Sequence, residues 1–241
     1  MLLLLSTVAL AQPAKMTLRY TMTLDGQPIG HREVTVNTLG PDLRMLEVWT
    51  EGNLPLGVHF EQRLTGLASQ DVQAFAAVNE ESVLVHDLGF KGGVPSEVQL
   101  VRSPEGWRVT VAMPTGVSSS TYSWEQVDQT SLSLLDPGGV QLKEGQLELL
   151  SAETGELLSG PLVQVGAVEV QVGDQLLPGT AWMWTVEGTE LELVYGLDGT
   201  PLRYRSWLLG QPVELVLDSP PNWDEALQTP MTGQAVQEEE L

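Results

Sequence analysis

The sequence predicts an all-β protein built from antiparallel strands, with little helix. Four consecutive runs within residues 181–218 alternate apolar and polar side chains, and glycine-containing turns separate them. A period of two, repeated over neighbouring runs, is typical of antiparallel strands that bury one face. The same alternation marks residues 16–24, after which Asp25-Gly26 favours a tight hairpin turn.

Further strands are predicted wherever this alternation recurs. In the clearest run, Trp107, Val109, Val111 and Met113 fall on one face. The strands predicted before the four C-terminal runs span residues 16–24, 29–36, 43–50, 57–64, 70–78, 82–90, 97–102, 107–113, 121–127, 146–150, 157–163 and 167–172.

One central segment, residues 129–139, interrupts the alternation. Its sequence SLSLLDPGG favours a single helical turn that Pro137 and the following glycines end. Two interpretations stay open: the segment is a plug or lid against the sheet, or it is a crossover loop. The β domain would subdivide in the same region, near residues 128–145.

Length, charge and cysteine content exclude several classes of function. A chain of 241 residues can form one large all-β domain with a substantial core. Its 32 acidic and 11 basic side chains give a net charge of −21, and such a surface disfavours both nucleic acid and anionic lipid headgroups. Without cysteine there are no disulfides, thiolate metal sites or cysteine nucleophile. No segment beyond the first leucines is long and apolar enough to be transmembrane.

Both ends of the chain differ from the patterned region. Residues 2–10 are an apolar run of signal-peptide length, and Ala9-Leu10-Ala11 fits cleavage before Gln12. No Lys or Arg precedes the leucines, so either the true start lies upstream or the signal is atypical. We therefore expect a signal peptide at 1–11, an antiparallel β domain at 12–218 and an acidic, mostly disordered tail at 219–241. The expected location is periplasmic or extracellular.

Several motifs carry a resemblance to known families. They are Gly166-Ala-Val-Glu-Val, Ala181-Trp-Met-Trp, Tyr195-Gly-Leu-Asp-Gly-Thr-Pro-Leu, Val213-Glu-Leu-Val-Leu and, near the start, Tyr20-Thr-Met-Thr-Leu-Asp-Gly-Gln-Pro-Ile-Gly. In these motifs the chain resembles exported bacterial β-rich domains of unknown function, of the DUF3108 and DUF6134 kind. The resemblance implies a strongly curved antiparallel sheet or half barrel, as one sheet or two meander halves. This half barrel is distantly similar to that of periplasmic lipoprotein carriers, which hold acyl chains on their concave face.

Residues with catalytic chemistry form no recognisable motif. His31, His59 and His86 are far apart, and none belongs to a metal-binding motif. The sequence after Gly116 lacks the spacing and context of a serine nucleophile elbow. Carboxylates that stand singly in turns favour turn formation over calcium binding: Glu153, Asp174 and Asp198. We predict no catalytic residue, no metal and no cofactor.

Aromatic residues are the best candidates for a binding site. An aromatic concave face suits an apolar ligand, although inward aromatic side chains also fill ordinary cores. The candidate ligand-binding residues are Trp107, Trp124, Trp182, Trp184, Tyr195 and Tyr204. Trp207 lies opposite, with Arg203 and Arg205, either as a stacked pair or as part of a protein-partner surface.

The sequence thus predicts a non-catalytic, exported protein that binds a hydrophobic molecule, a lipid or an acyl chain, on the concave face. One alternative is an envelope-associated structural or protein-interaction module with a filled core. The other is a hydrolase whose site is assembled across loops. A cavity on the face of Trp182 and Trp184 would favour the first.

Overall fold

A computed structural model describes residues 15–39, 43–54, 57–69, 77–86, 96–113, 115–137, 142–208 and 211–221. Within these ranges the secondary structure is strands and two 3₁₀ helices of three residues each, so the predicted all-β class is confirmed. No described helix is long and apolar enough to cross a membrane. The strands are β1 (Lys15–Leu24), β2 (Gln27–Thr38), β3 (Leu43–Leu54), β4 (Val58–Ser69), β5 (Ala77–His86), β6 (Ser96–Ser103), β7 (Gly106–Met113), β8 (Gly116–Tyr122), β9 (Gln129–Thr130), β10 (Gly145–Leu150), β11 (Leu157–Val172), β12 (Gln175–Val186), β13 (Thr189–Gly196), β14 (Pro201–Leu208) and β15 (Gln211–Leu217).

These strands form one curved sheet made of two meander halves. The order runs from β8 back to β1 and then from β15 back to β9. In the middle, β1 and β15 pair antiparallel with Tyr20 opposite Leu217. The Asp25-Gly26 turn joins β1 to β2, and both of its residues have positive φ, as the predicted tight hairpin requires. Strand pairing leaves β8 and β9 as the two edges, so the sheet is open.

The two halves also meet through side chains. A turn over residues 151–156 joins β10 to β11, and its Gly155 has φ +74°. A Cβ added to Gly155 would lie 2.7 Å from Val109 Cγ1 and 2.8 Å from Val111 Cγ2, both on β7. Only glycine suits both this backbone and this gap. The turn therefore packs against the first half of the sheet, and the sheet curls into a half barrel.

The core lies inside this curl. In β1 the buried and the more exposed residues alternate without interruption, and Leu18 and Tyr20 are fully buried. Leu215 and Leu217 of β15 are equally buried beside them. The Tyr20 hydroxyl donates to Pro201 O at 2.9 Å, which satisfies the one polar group of that side chain. The faces predicted from the alternation of β1 and β15 are confirmed.

The segment over residues 128–137, which we name the strap, crosses the interior. Leu134 and Leu135 form a 3₁₀ turn with Ser133 and are buried in the core. Tyr195 on β13 donates its hydroxyl hydrogen to Leu134 O at 3.0 Å. At the other end, Asp136 is paired with Arg44 on β3 at 2.9 Å. Of the two interpretations of this segment, the plug matches the observed packing.

Some predicted strand boundaries are wrong. Residues 121–127 are not one strand, because β8 ends at Tyr122 and a 3₁₀ helix, Trp124–Gln126, follows. Gln126 Oε1 accepts a hydrogen bond from the Ser123 backbone N–H at 2.8 Å, which closes this turn. The strands predicted at 157–163 and 167–172 are one strand, β11, because a register shift beside Gly166 absorbs the irregularity.

Other predictions fall partly outside the described residues. In place of strands at 70–78 and 82–90 the described ranges contain β5 alone, and residues 70–76 and 87–90 lie outside them. The predicted signal peptide at 1–11 lies outside as well, together with residues 222–241 of the predicted tail. The described sheet falls within the predicted 12–218 domain, and both halves belong to it.

Candidate ligand cavity

A cavity of about 420 Å³ lies between the strap and the sheet of the second half. Side chains from the strap, from the 151–156 turn and from strands β12 to β14 surround it. Arg32 of β2 also lines it, so both halves of the protein contribute. Pockets of about 300–1,000 Å³ accommodate small organic ligands, and this cavity falls within that range.

Its apolar wall follows from the period of two in β12 and β13. Trp184 stands opposite Leu191 in the register, and Leu193 stands opposite Tyr204 of β14. Residues two apart share a face, so Leu191, Leu193 and Tyr195 line the cavity together. Trp184 is buried, and its indole Nε1 donates to Gly160 O at 3.2 Å. The ring orientation is therefore fixed by the protein before any ligand binds.

The polar part of the lining includes Glu153. Its carboxylate Oε2 accepts hydrogen bonds from Ser131 Oγ at 2.5 Å and from Ser151 Oγ at 3.2 Å. Backbone N–H groups hold both serines: Ala152 donates to Ser131 and Thr154 donates to Ser151. This half-buried carboxylate is thus positioned by the strap on one side and by the turn on the other.

A guanidinium and two buried phenols complete the wall. Arg32 donates from Nε to Thr50 Oγ1 at 2.8 Å, from Nη1 to the Tyr204 hydroxyl at 3.3 Å and from Nη2 to Gln62 Oε1 at 3.4 Å. Burial raises the pKa of Tyr204, and the charge of Arg32 opposes that rise. Burial also raises the pKa of Tyr195. Both phenols are therefore neutral at ordinary pH and offer hydroxyl groups rather than charge.

The structure brings three of the six candidate aromatic residues together at the cavity: Trp184, Tyr195 and Tyr204. Trp182 is half-buried on the same strand and lies outside the lining. Trp107 and Trp124 form a separate cluster with ring centroids 6.0 Å apart.

The guanidinium of Arg102 lies against both rings of that second aromatic cluster. The guanidinium carbon of Arg102 lies 4.4 Å from the Trp124 ring centroid and 5.3 Å from that of Trp107. Trp124 Nε1 donates to Pro104 O at 3.1 Å. An arginine thus occupies the space beside the two rings, in the arrangement of a cation–π contact.

The remaining candidates lie apart from the cavity or outside the description. Trp207 is on β14, and its side chain lies outside the described residues. Its neighbour Arg203 pairs with Glu192 at 3.0 Å. His31 packs edge-on against Trp49, with 5.0 Å between centroids. Among the described residues no group of three His, Asp or Glu side chains is placed to hold a metal ion.

Arg32 was not predicted as a site residue from the sequence, and Glu153 was predicted only as a turn residue. Arg32 carries a detectable signal, because it is in phase with Val34 and Val36, which are buried on β2. A charged residue at an inward position of a strand is unusual, and it marks a polar contact within the core. Glu153 does lie in a turn as predicted, yet nothing local indicates that this turn faces the interior.

Comparison with known proteins supports the fold. No family model matches the sequence, and no curated protein matches it. The chain is similar to the crystal structure of a β-barrel-like protein of the domain of unknown function DUF1849 from Brucella abortus. The TM-score is 0.62 at 10% identity, covering 87% of this chain and 98% of that chain. At this identity the similarity supports a β-rich, barrel-like fold for this chain.

Proposed function

We propose that this protein is a non-catalytic binder of a hydrophobic molecule, a lipid or an acyl chain, which it holds in the cavity between the strap and β12 to β14. The observation that carries the proposal is the cavity itself, about 420 Å³ beside Trp184. Buried Trp184 and Leu191 form one part of its wall, while exposed Glu187 and Arg205 also line it, so the pocket opens to solvent. An accessible pocket of this size with an apolar wall is typical of a site for a small organic ligand.

The nature of the wall supports an apolar ligand. Leucines from three separate segments, Leu134, Leu149 and Leu191, face the space with Trp184 and Tyr195. Burying the apolar surface of a ligand against them contributes about 25 cal/mol for each Å² removed from water. Because Trp184 and Tyr195 are already fixed by hydrogen bonds, little side-chain order is lost on binding.

The proposal includes export. The apolar run at residues 2–10 and the Ala9-Leu10-Ala11 site support it. We also propose that the chain is related to exported domains of the DUF3108 and DUF6134 kind. We propose a periplasmic or extracellular location, where a carrier would shield an apolar molecule from water.

Uptake of a fluorescent alkyl probe with an uncharged head group tests the proposal. We expect the native protein to bind the probe with quenching of tryptophan emission, because Trp184 lines the cavity. Trp184→Ala should lose most of this quenching and weaken binding. The matched control is Trp124→Ala, which removes a tryptophan from the separate cluster and should leave probe binding unchanged. A native protein that takes up no probe, and carries no lipid in native mass spectrometry after purification from its own host, would refute the carrier function.

A second function is favoured by one surface feature. On β11, Val163 is 53% exposed and Val165 is 60% exposed, beside the register shift of this strand. Exposed apolar side chains close together favour contact with another protein, as in an envelope-associated interaction module. Val163→Ser with Val165→Ser would abolish partner capture in that case, and it would leave probe uptake unchanged if the carrier function is correct.

A further inference from the structure

The polar part of the lining has an acceptor oxygen without a donor among the described residues. Glu153 lines the cavity, and its Oε2 takes both serine hydrogen bonds described above. Within the described part of the chain, its other oxygen, Oε1, receives no hydrogen bond and no ion pair. This oxygen is not among the buried unpaired atoms, so solvent reaches it. Because Glu153 lines the cavity, a ligand head group there can replace that water as the donor.

The positive charges near the cavity are used differently. Arg32 directs Nε, Nη1 and Nη2 to acceptors of the protein. Arg205 lines the cavity but is exposed, as are Glu156 and Glu187. Solvent and salt screen exposed charges strongly. Glu153 is half-buried, so its charge is screened less. Arg32 is more buried and keeps its charge, but its guanidinium nitrogens already donate within the protein. Glu153 is therefore the half-buried charged group of the lining that still has an acceptor oxygen for a head group.

We propose that the cavity selects an amphiphile whose head group donates hydrogen bonds, a hydroxyl or an ammonium, to Glu153, and that it disfavours a carboxylate head. This inference rests on the proposed function. A hydroxyl or ammonium would donate to Oε1 while the apolar tail lies along Trp184 and Leu191. A carboxylate placed there brings a second negative charge and no donor, so both groups would lose hydration without gaining a partner.

Three probes of equal chain length test the selectivity: dodecanol, dodecylamine and dodecanoate, each displacing the same fluorescent probe from the full chain at neutral pH. We expect dodecanol and dodecylamine to bind at least about tenfold more tightly than dodecanoate, the smallest effect of a hydrogen bond to a charged group. Glu153→Gln keeps an oxygen acceptor for the two serines but removes the charge, so it should reduce the preference for dodecylamine over dodecanoate by about tenfold or more. The control, Glu169→Gln, changes an exposed carboxylate of β11 that lies outside the lining and should leave the preference unchanged.

The outcomes separate the two proposals. Dodecanoate binding as tightly as the other probes, or a preference that survives Glu153→Gln, would overturn the role of Glu153 while the carrier function stands. Failure of all three probes to bind would overturn both proposals. If Glu153→Gln does not fold, the ranking of the three probes on the native protein still decides, because a preference for dodecanoate contradicts the inference without any variant.

Discussion

Asp136, at the end of the strap, is predicted to make the protein less stable as the pH rises through about 6. The carboxyl group is buried, and burial raises its pKa from 3.8 to about 6 although Arg44 opposes the rise. The geometry explains why the ion pair with Arg44 does not keep the pKa of Asp136 at its ordinary value. Arg44 Nη1 directs its hydrogen bond to Pro137 O at 2.7 Å, so Asp136 Oδ1, 2.9 Å away, receives charge attraction without a hydrogen bond.

The magnitude follows from the two pKa values. In the unfolded chain Asp136 ionises near its ordinary value, so between about pH 4 and 6 the folded protein holds a proton that the unfolded chain has lost. Folding is therefore favoured at the acidic end of this window and weakened above it. The separation of the two values corresponds to about 3 kcal/mol, fully expressed above pH 7.

The assay compares native protein with Asp136→Asn, a neutral side chain of the same shape. Urea unfolding at about pH 5 and pH 8 should show the native protein losing roughly half of those 3 kcal/mol relative to the variant over this interval. Other carboxylates titrate in both proteins, and taking the difference removes them. A difference between the two proteins that is constant with pH, or that moves in favour of the native protein at high pH, would refute this account of Asp136.

Three further predictions concern how the half barrel is held together. Gly155→Ala should destabilise the protein by about 1–3 kcal/mol in urea unfolding, because its Cβ would meet Val109 and its φ is positive; an unchanged midpoint would contradict the packing of this turn on β7. Tyr195→Phe removes the hydrogen bond to Leu134 O and should cost about 0.5–1.5 kcal/mol, and faster hydrogen exchange confined to the strap would identify the cause. Ending the chain after Asp218 retains its hydrogen bond from Thr21 at 2.6 Å, so the melting temperature should move by only a few degrees, about 1 kcal/mol or less, and a collapse of folding would show that the tail docks on the sheet.

The sequence by itself determined the strand class and the faces of the strands. Alternation placed Leu18 and Tyr20 of β1 inward, and it put Trp184, Leu191 and Tyr195 on the faces that line the cavity. These predictions succeed because the period of two is a property of neighbouring residues along one strand. The Asp25-Gly26 turn could also be predicted from the sequence, because its backbone conformation depends on those two residues alone.

Only the tertiary structure decided which faces meet and where a space remains. Glu153 and Arg32 line the same cavity although about half the chain separates them, and Gly155 meets β7 only because the sheet curls. The strap shows the same limit: its sequence favoured a helical turn but left a plug and a crossover loop both open, and only the packing of its leucines beside Tyr195 shows that they fill the interior. Whether an inward aromatic ring fills a core or lines a cavity depends on what packs opposite it. That partner comes from distant parts of the chain, and local periodicity carries no information about it.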